Sequence, residues 1–368
     1  MAEFIVPCLF GLEGICANEL RRLGLENVAA ENGRVRFSGG PEAMARANLC
    51  SRFGERVLLE VASFEAHSFE DLFQGTLSAP LEDFIPRDGA FPVKGHCLDS
   101  QLHSVPDCQK IIKKAAVERL KKKYGVSWFE ETGDRYQIQF SIIKDRVSLC
   151  LDTTGPGLHK RGYRPGRLPA PLRETLAAAM VDLARYRGKG DFADPFCGSG
   201  TIAIEAALAA KNRAPGLYRE FSAEKWRYGG PKVWKNERDA AVSREYSGEY
   251  HIFASDIDPE AVKLAKINAK RAGVGSLIEF SAADARSFSR ATDGGVIVTN
   301  PPYGERLLDR RGAEQLYREF GRTYAKLSSW RLFCISSHPE FEHFFGRRAD
   351  KRRKLYNGMI KCELYMYM

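Results

Sequence analysis

Residues 190–210 read GDFADPFCGSGTIAIEAALAA, and this stretch indicates the fold class of the second half of the chain. A short apolar run ends at Asp194, a turn with two glycines follows, and a strongly helical stretch begins at Ile202. A glycine turn lets the backbone approach a ligand closely, and the first amides of the next helix point at a carboxylate or phosphate. The stretch matches neither GxGxxG nor GxxxxGK[ST]. The stretch favours a zwitterionic amino-acid ligand whose ammonium group donates to the carboxylate of Asp194. The alternative is a generic tight turn that binds no ligand.

Two acidic positions follow later strands of the same half. Asp256 ends the strand-like stretch HIFASD (251–256), where a carboxylate can accept both hydroxyls of a ribose. Asp258 precedes Pro259, which is the pattern of a helix cap. Asp284 follows the strand-like Ile278-Glu279-Phe280 and could accept from the amino group of an adenine. The order of these acids after the glycine turn favours an adenosine-containing ligand.

Residues 295–303, GVIVTNPPY, are a buried strand that runs directly into two prolines. The prolines stiffen the loop and leave carbonyl groups free. The side-chain oxygen of Asn300 and the carbonyl of Pro301 can then accept from an exocyclic NH2 group, while Tyr303 stacks on the base. A proline turn that merely ends a strand is the alternative.

The order of elements predicts the domain organisation. Beyond residue 165, strands, glycine-rich turns and helices alternate, which indicates an α/β domain with a parallel sheet. The first half contains two smaller α+β modules. The predicted bounds are 1–64 and 65–154 for these modules, 155–171 for a linker rich in Gly, Pro and cations, and 172–368 for the α/β domain.

The C-terminal half resembles a class I S-adenosylmethionine-dependent methyltransferase of the amino-methylating kind. The whole chain, with LHSVPDCQKIIKKAAVERLK (102–121), HKRGYR (159–164) and PLRETLA (171–177), resembles the THUMP-domain RNA methyltransferases, among them guanine-N2 methyltransferase L of large-subunit ribosomal RNA. The resemblance covers essentially residues 1–368. It implies an α/β fold in which a Rossmann-like class I methyltransferase domain follows an α+β ferredoxin-like domain and a THUMP RNA-binding domain, with S-adenosyl-L-methionine as cofactor.

The motifs and the resemblance together define the expected site. The expected catalytic residues are Asn300, Pro301, Pro302 and Tyr303. The expected cofactor-binding residues are Asp194, Phe196, Cys197, Gly198, Ser199, Gly200, Thr201, Asp256, Ile257, Asp284, Glu174 and Thr175. The last two follow from the family pattern, and ordinary first-turn helix residues are their alternative. No metal site is expected, because the histidines and cysteines show no zinc spacing.

The resemblance implies methylation of the N2 amine of a guanosine, with large-subunit ribosomal RNA as the preferred substrate. Three alternatives stay open. A tRNA guanine-N2 methyltransferase shares the architecture, a DNA adenine-N6 methyltransferase shares NPPY, and a noncatalytic RNA-binding assembly factor could retain the fold. The missing DNA-reading module counts against the second, and the intact motifs count against the third.

The charge is concentrated in the second half. Residues 1–160 carry 20 Lys and Arg against 22 Asp and Glu, whereas residues 161–368 carry 36 against 25. A basic surface favours nucleic acid, although a solvated helix face is the alternative for the lysines of the helix near 105–124. The expected RNA-binding residues are Lys110, Lys113, Lys114, Lys160, Arg161 and Arg164.

The remaining features exclude several classes of protein. The nine cysteines form no CxxC pair, and no apolar run approaches the length of a membrane span. The sequence therefore predicts a cytoplasmic protein without membrane association. The resemblance implies RNA as partner, and no obligate protein partner is expected. Residues 213–244 are irregular and rich in Trp, Gly and Pro, and they predict either a lid or substrate wall or ordinary packing. Asn357-Gly358 predicts a hairpin near the C-terminus.

Overall fold

The computed structural model describes residues 1–164, 172–290, 292, 294–303, 309–327 and 329–368, so residues 165–171 of the predicted linker lie outside it. The contacts divide the chain into two compact units. Unit 1 contains Met1–Cys8, Cys16–Leu158 and Glu220–Ala240, and unit 2 contains Leu9–Ile15, His159–Arg219 and Ala241–Met368. Each unit combines segments that are separate in the sequence. The units therefore do not test the predicted domain bounds, which stay predictions.

Unit 1 is built on a seven-stranded sheet. Its strands are β1 (Ala2–Pro7), β2 (Glu26–Glu31), β3 (Arg34–Gly39), β4 (Leu58–Glu65), β5 (Val93–Leu98), β6 (Ile138–Ile143) and β7 (Arg146–Asp152), in the order β2-β3-β1-β4-β7-β6-β5. Its helices are α1 (Glu13–Arg22), whose first residues belong to unit 2, α2 (Pro41–Cys50), α3 (Phe69–Ser78) and α4 (Val105–Tyr124). Helix α4 ends at Tyr124, because the next residue, Gly125, takes the left-handed conformation with φ 63°.

Unit 2 contains the second seven-stranded sheet. Its elements are α5 (Glu174–Leu183), β8 (Asp191–Asp194), α6 (Thr201–Ala210), the end of α7 (Gly230–Ser243), β9 (Ile252–Asp256), α8 (Pro259–Arg271), β10 (Ile278–Ala282), β11 (Gly295–Thr299), α9 (Arg310–Tyr324), β12 (Trp330–Ser336), α10 (Phe341–Phe345), β13 (Lys351–Asn357) and β14 (Ile360–Tyr367). The strand order is β10-β9-β8-β11-β12-β14-β13. The first five strands in this order are parallel and the last two pair antiparallel. The predicted α/β fold and the C-terminal hairpin are confirmed.

The topology places the sequence motifs at one edge of this sheet. The four strands β10, β9, β8 and β11 are neighbours and parallel, so their carboxyl ends lie at the same edge. Asp256 and Asp194 are the last residues of β9 and β8, and Asn300 follows the last residue of β11. Asp284 follows the end of β10 by two residues. The sheet therefore gathers residues that are up to about a hundred positions apart in the chain.

Residues 220–240 pack within unit 1, and part of helix α7 lies there although the sequence pattern indicates no regular element. Trp226 is buried and stacks on Tyr136 with ring centroids 4.7 Å apart, and its Nε1 donates to the carbonyl of Arg135 at 3.1 Å. Arg46 of α2 donates through Nε and Nη2 to both carboxylate oxygens of Glu237, at 2.9 and 2.7 Å. This stretch is therefore part of the packed structure of unit 1.

None of the helices among the described residues is long and apolar enough to cross a membrane.

Replacing Trp226 by Ala is expected to lower the unfolding free energy by about 3–5 kcal/mol, because it removes a buried aromatic side chain and its hydrogen bond. The matched control is Trp128→Ala, since Trp128 is also in unit 1 but is 76% exposed. The control is expected to change stability by no more than about 0.5 kcal/mol. Urea unfolding followed by circular dichroism compares the two, and equal midpoints would contradict the packing role of residues 220–240.

Candidate active site

The glycine turn between β8 and α6 has the backbone that its sequence predicts. Gly198 and Gly200 have φ angles of 50° and 84°, in the region that favours glycine. A Cβ on Gly200 would lie 3.0 Å from the Cβ of Ala265, so the turn also packs closely on helix α8. The N-cap residue of α6 is Gly200, and no side chain among the described residues caps the first turn. The amides at the start of this ten-residue helix can therefore receive an anionic group.

Asp194 is the most deeply buried acid of this edge. It is 1% exposed, and its Oδ1 accepts from the hydroxyl of Thr299 at 2.8 Å and from the amide of Phe196 at 3.3 Å. Its Oδ2 is buried and has no hydrogen-bond partner among the residues that the structure describes. Burial raises the pKa of this carboxyl to about 7. A buried carboxylate oxygen without a donor fits an ammonium group, which supports the predicted cofactor contact.

Asp256 lies beside the glycine turn. Its Oδ2 accepts from the amide of Gly198 at 2.8 Å, and its Oδ1 accepts from the amide of Asp258 at 3.0 Å. Each carboxylate oxygen keeps further acceptor capacity for ribose hydroxyls. Ile257, the next residue, is exposed. Asp258 caps α8 by accepting from the amide of Glu260 at 2.9 Å, as its sequence pattern predicts.

Asp284 is held differently from the other two acids. It caps a short 3-10 helix, and its carboxylate accepts from the backbone amide and the guanidinium of Arg286. The hydrogen bonds from Arg286 lower the pKa of Asp284. Arg286 also donates to Glu319 at 3.0 Å. The acceptor sites of Asp284 are thus largely occupied in this structure, and its predicted contact with an adenine amino group stays a prediction.

The NPPY loop is supported from two sides. The hydroxyl of Tyr317, on α9, donates to the carbonyl of Pro302 at 2.7 Å. The hydroxyl of Tyr303 donates to Oδ1 of Asn300 and contacts the thiol of Cys362 on β14. Burial raises the pKa of Tyr303 well above its ordinary value. Oδ1 of Asn300, which is predicted to accept from a substrate amine, therefore already accepts one hydrogen bond. Its second lone pair can accept from the amine.

Glu174 and Thr175 lie in the first turn of α5 and are buried. Oε1 of Glu174 is 3.3 Å from a guanidinium nitrogen of Arg164. Arg164 also donates to the carbonyl of Leu172 at 3.1 Å and to the hydroxyl of Thr201. The structure thus connects the start of α5 with the start of α6 through Arg164.

The expected RNA-binding residues fall into two groups. Lys110, Lys114 and Lys160 are exposed. Lys113 is committed to the carboxylate of Glu131 at 2.5 Å and lies over the ring of Phe91. Arg161 is buried in an ion pair with Glu205 and its side chain is only 2% exposed, so its RNA contact stays a prediction that this position does not favour. Arg164 is mostly buried as well.

Three positioning residues were not identified from the sequence. Asn268 of α8 is fully buried and donates from Nδ2 to the carbonyl of Ser199 in the glycine turn, at 2.9 Å. Tyr317 and Thr299 hold Pro302 and Asp194 as described above. A polar Asn on the buried face of an amphipathic helix is a visible signal. The partners of Thr299 and Tyr317 depend on strand pairing and helix packing, which no local pattern indicates.

Comparison with known families assigns the three parts of the chain. Residues 161–366 match the RMKL-like methyltransferase domain, residues 3–58 match the RlmL ferredoxin-like domain, and residues 66–152 match the THUMP domain. The chain is 46% identical to "Putative RNA methyltransferase YpsC" of Bacillus subtilis, over 99% of this chain and 95% of that protein. It is 35% identical to "Ribosomal RNA large subunit methyltransferase K/L" of Psychromonas ingrahamii, over 100% of this chain. The chain spans about half the length of the K/L relatives, 50% in this case.

Solved structures with the same fold carry two kinds of description. A structure described as "SMU.472, a putative methyltransferase complexed with SAH" superposes with a TM-score of 0.93 at 38% identity, covering 100% of this chain and 97% of that one. A Listeria monocytogenes protein described as "a predicted N6-adenine-specific DNA methylase" superposes with a TM-score of 0.95 at 43% identity, covering 100% and 96%.

The raised pKa of Asp194 predicts a pH dependence of stability. The folded protein keeps a proton on Asp194 up to about pH 7, whereas the unfolded chain releases it near pH 4. Between these values the unfolded state binds fewer protons, so the unfolding free energy falls as pH rises. Asp194→Asn removes this titration. The variant is expected to gain up to about 4 kcal/mol relative to the wild type between pH 4 and pH 8. Urea unfolding at both pH values measures the difference, and a constant difference would contradict the prediction.

Proposed function

Because the chain belongs to the RMKL-like methyltransferase family and carries a THUMP domain, we propose that it methylates the N2 amine of a guanosine in RNA, with large-subunit ribosomal RNA as substrate. The cofactor of the family is S-adenosylmethionine, and a relative with 38% identity was crystallised with its product S-adenosylhomocysteine. The names of the K/L relatives favour ribosomal RNA. The THUMP domain favours RNA over DNA.

One observation carries the proposal most strongly. Asp194 has a buried oxygen without a donor at the same sheet edge where the uncapped start of α6 and the NPPY loop lie. An ammonium and a carboxylate belong to one amino-acid group, and this edge offers a partner for each. Asp256 beside the turn supplies acceptors for a ribose. The edge therefore fits the amino-acid and ribose parts of S-adenosylmethionine.

The residues of the NPPY loop then act on the substrate amine. S-adenosylmethionine supplies an electrophilic methyl group on a sulfonium when bound. The Asn300 side-chain oxygen and the Pro301 carbonyl accept the two N–H groups of the amine, which orients its lone pair toward that methyl. Tyr317 keeps the loop in place through Pro302. The nitrogen–carbon bond would form as the carbon–sulfur bond breaks with the thioether as leaving group, and the cationic nitrogen would then lose a proton to solvent, so no strong base is needed.

The exposed lysines are proposed as phosphate contacts. Lys110 and Lys114 lie on α4 in unit 1, and Lys160 lies at the start of unit 2. Contacts of this kind release counterions, so RNA affinity is expected to fall steeply with salt.

Adenine-N6 methylation is the second candidate function. It is favoured by the description of the Listeria relative as an adenine-specific methylase. NPPY suits both bases, because each presents an exocyclic amine. The identity of the labelled nucleoside distinguishes guanine-N2 methylation from adenine-N6 methylation.

Incubation with methyl-labelled S-adenosylmethionine and separate pools of unmodified ribosomal RNA, tRNA and DNA tests the proposal. Digestion of the nucleic acid is expected to place the label in N2-methylguanosine from the large-subunit ribosomal RNA pool. The same nucleoside from tRNA would move the substrate to tRNA, and label in N6-methyladenine would establish the second candidate. Absence of label in every pool, with cofactor binding intact, would support a noncatalytic RNA-binding factor.

The variant Asn300→Ala is expected to lower turnover by about 10²–10³-fold, because it removes one acceptor for the substrate amine. Its affinity for S-adenosylhomocysteine is expected to stay within about twofold of wild type, as the cofactor contacts are elsewhere. Single-turnover rates and calorimetric titration measure the two effects. The control is Asn236→Ala, an exposed asparagine of α7 that is expected to change neither quantity. Wild-type turnover in Asn300→Ala would exclude the catalytic role.

A further inference from the structure

The basic stretch His159–Arg164 is held against helix α6 within unit 2. Arg161 donates from Nε to Oε1 of Glu205 at 3.3 Å, and both side chains are almost completely buried, at 2% and 0% exposure. Glu205 lies one helical turn after Thr201 on α6, so the two occupy the same face of the helix. Arg164 reaches the hydroxyl of Thr201 and the carboxylate of Glu174. Two arginines of one short segment therefore contact successive turns of α6.

The four described side chains that these contacts join carry two positive and two negative charges. The positive side chains are Arg161 and Arg164, and the negative ones are Glu174 and Glu205. A phosphate would have to compete with these carboxylates and enter a buried region, which is unfavourable for an ion without its own partners. Lys160, between His159 and Arg161, is exposed instead, while its backbone carbonyl accepts from Arg219 at 2.8 Å. Lys160 of this segment thus faces solvent, whereas Arg161 and Arg164 make ion pairs inside unit 2.

Arg164, the second of these two arginines, contacts residues at the proposed cofactor site. Thr201 follows Gly200 directly and begins the helix whose free amides would bind the cofactor carboxylate. Arg164 fixes Thr201 to Glu174 and to the carbonyl of Leu172. Three residues before Arg164, Arg161 is anchored on Glu205 of helix α6.

We propose that Arg161 is a positioning residue of the cofactor site: through Glu205 it holds the segment 159–164 along α6 and keeps Arg164 on Thr201 and Glu174. This inference rests on the proposed cofactor site at the glycine turn. It assigns Arg161 to cofactor binding rather than to RNA.

The test removes the ion pair without leaving a charge behind. Removing one partner alone would leave a buried charge and would strongly destabilise the fold, whereas replacing a buried pair by apolar residues of similar volume is tolerated. The variant is therefore the double substitution Arg161→Met with Glu205→Leu. Binding of S-adenosylhomocysteine is measured by calorimetry without RNA, and RNA affinity is measured at several salt concentrations. Urea unfolding confirms that the variant is folded.

The double variant is expected to bind S-adenosylhomocysteine about tenfold more weakly, the equivalent of one charge-assisted hydrogen bond, with unchanged RNA affinity and salt dependence. A single Arg161→Lys variant keeps the charge opposite Glu205 and is expected to fall between wild type and the double variant. The matched control is Lys160→Gln. It is expected to leave cofactor binding unchanged, to weaken RNA binding and to lower the slope of log affinity against log salt by about one.

Opposite results would overturn the inference. If the folded double variant binds S-adenosylhomocysteine like wild type, Arg161 is not a positioning residue of the cofactor site. If it loses RNA affinity instead, with a reduced salt slope, Arg161 contacts RNA. If the wild-type protein itself fails to bind S-adenosylhomocysteine, the proposed function and this inference both fail. In the other two outcomes the wild-type protein binds it, so only this inference fails.

Discussion

The hydrogen bond from Thr299 to Asp194 joins the two central strands of the parallel sheet at the edge where the site lies. Asp194 ends β8 and Thr299 ends β11, and both are buried. This bond uses one oxygen of the carboxylate and leaves the other without a donor. A buried carboxylate with an unused oxygen is unfavourable on its own, which supports the proposed contact of Asp194 with a positively charged ligand group. The NPPY loop begins at Asn300, the residue after Thr299. The hydrogen bond between Thr299 and Asp194 therefore links the proposed cofactor contact to the loop proposed to bind the substrate amine.

The glycine turn is held by contacts from two directions. Asn268 on α8 binds the carbonyl of Ser199, and Asp256 binds the amide of Gly198. On the other side, Arg164 reaches Thr201, where α6 begins. A helix start that is to bind an anion must keep its amides free of other partners, and these contacts position the turn without capping the helix. The rigidity of the turn thus comes from side chains far away in the sequence.

Much of the site could be predicted because its residues lie in local patterns. GSG after a buried strand, an acid at a strand end and NPPY are each set by neighbours in the chain, and the parallel sheet then brings them to one edge. The buried state of Arg161 could not be predicted this way. HKRGYR has the composition of an exposed basic loop, and only the position of Glu205 on α6 shows that its first arginine has an internal partner. The irregular stretch 220–240 is a similar case, because Trp226 packs on Tyr136, 90 positions earlier.

The α/β class of the second half, the motifs at its strand ends and the family resemblance could all be read from the sequence alone. These follow from the periodicity of apolar residues, from glycine and proline at turns and from acids at strand ends, all of which act over a few residues. Which charged side chains face solvent and which are paired inside depends on the folded arrangement of distant segments. This arrangement places Lys160 outside and Arg161 inside, although they are adjacent in the chain. The physical reason is that a charge can be buried only opposite a partner, and the partner is supplied by long-range packing.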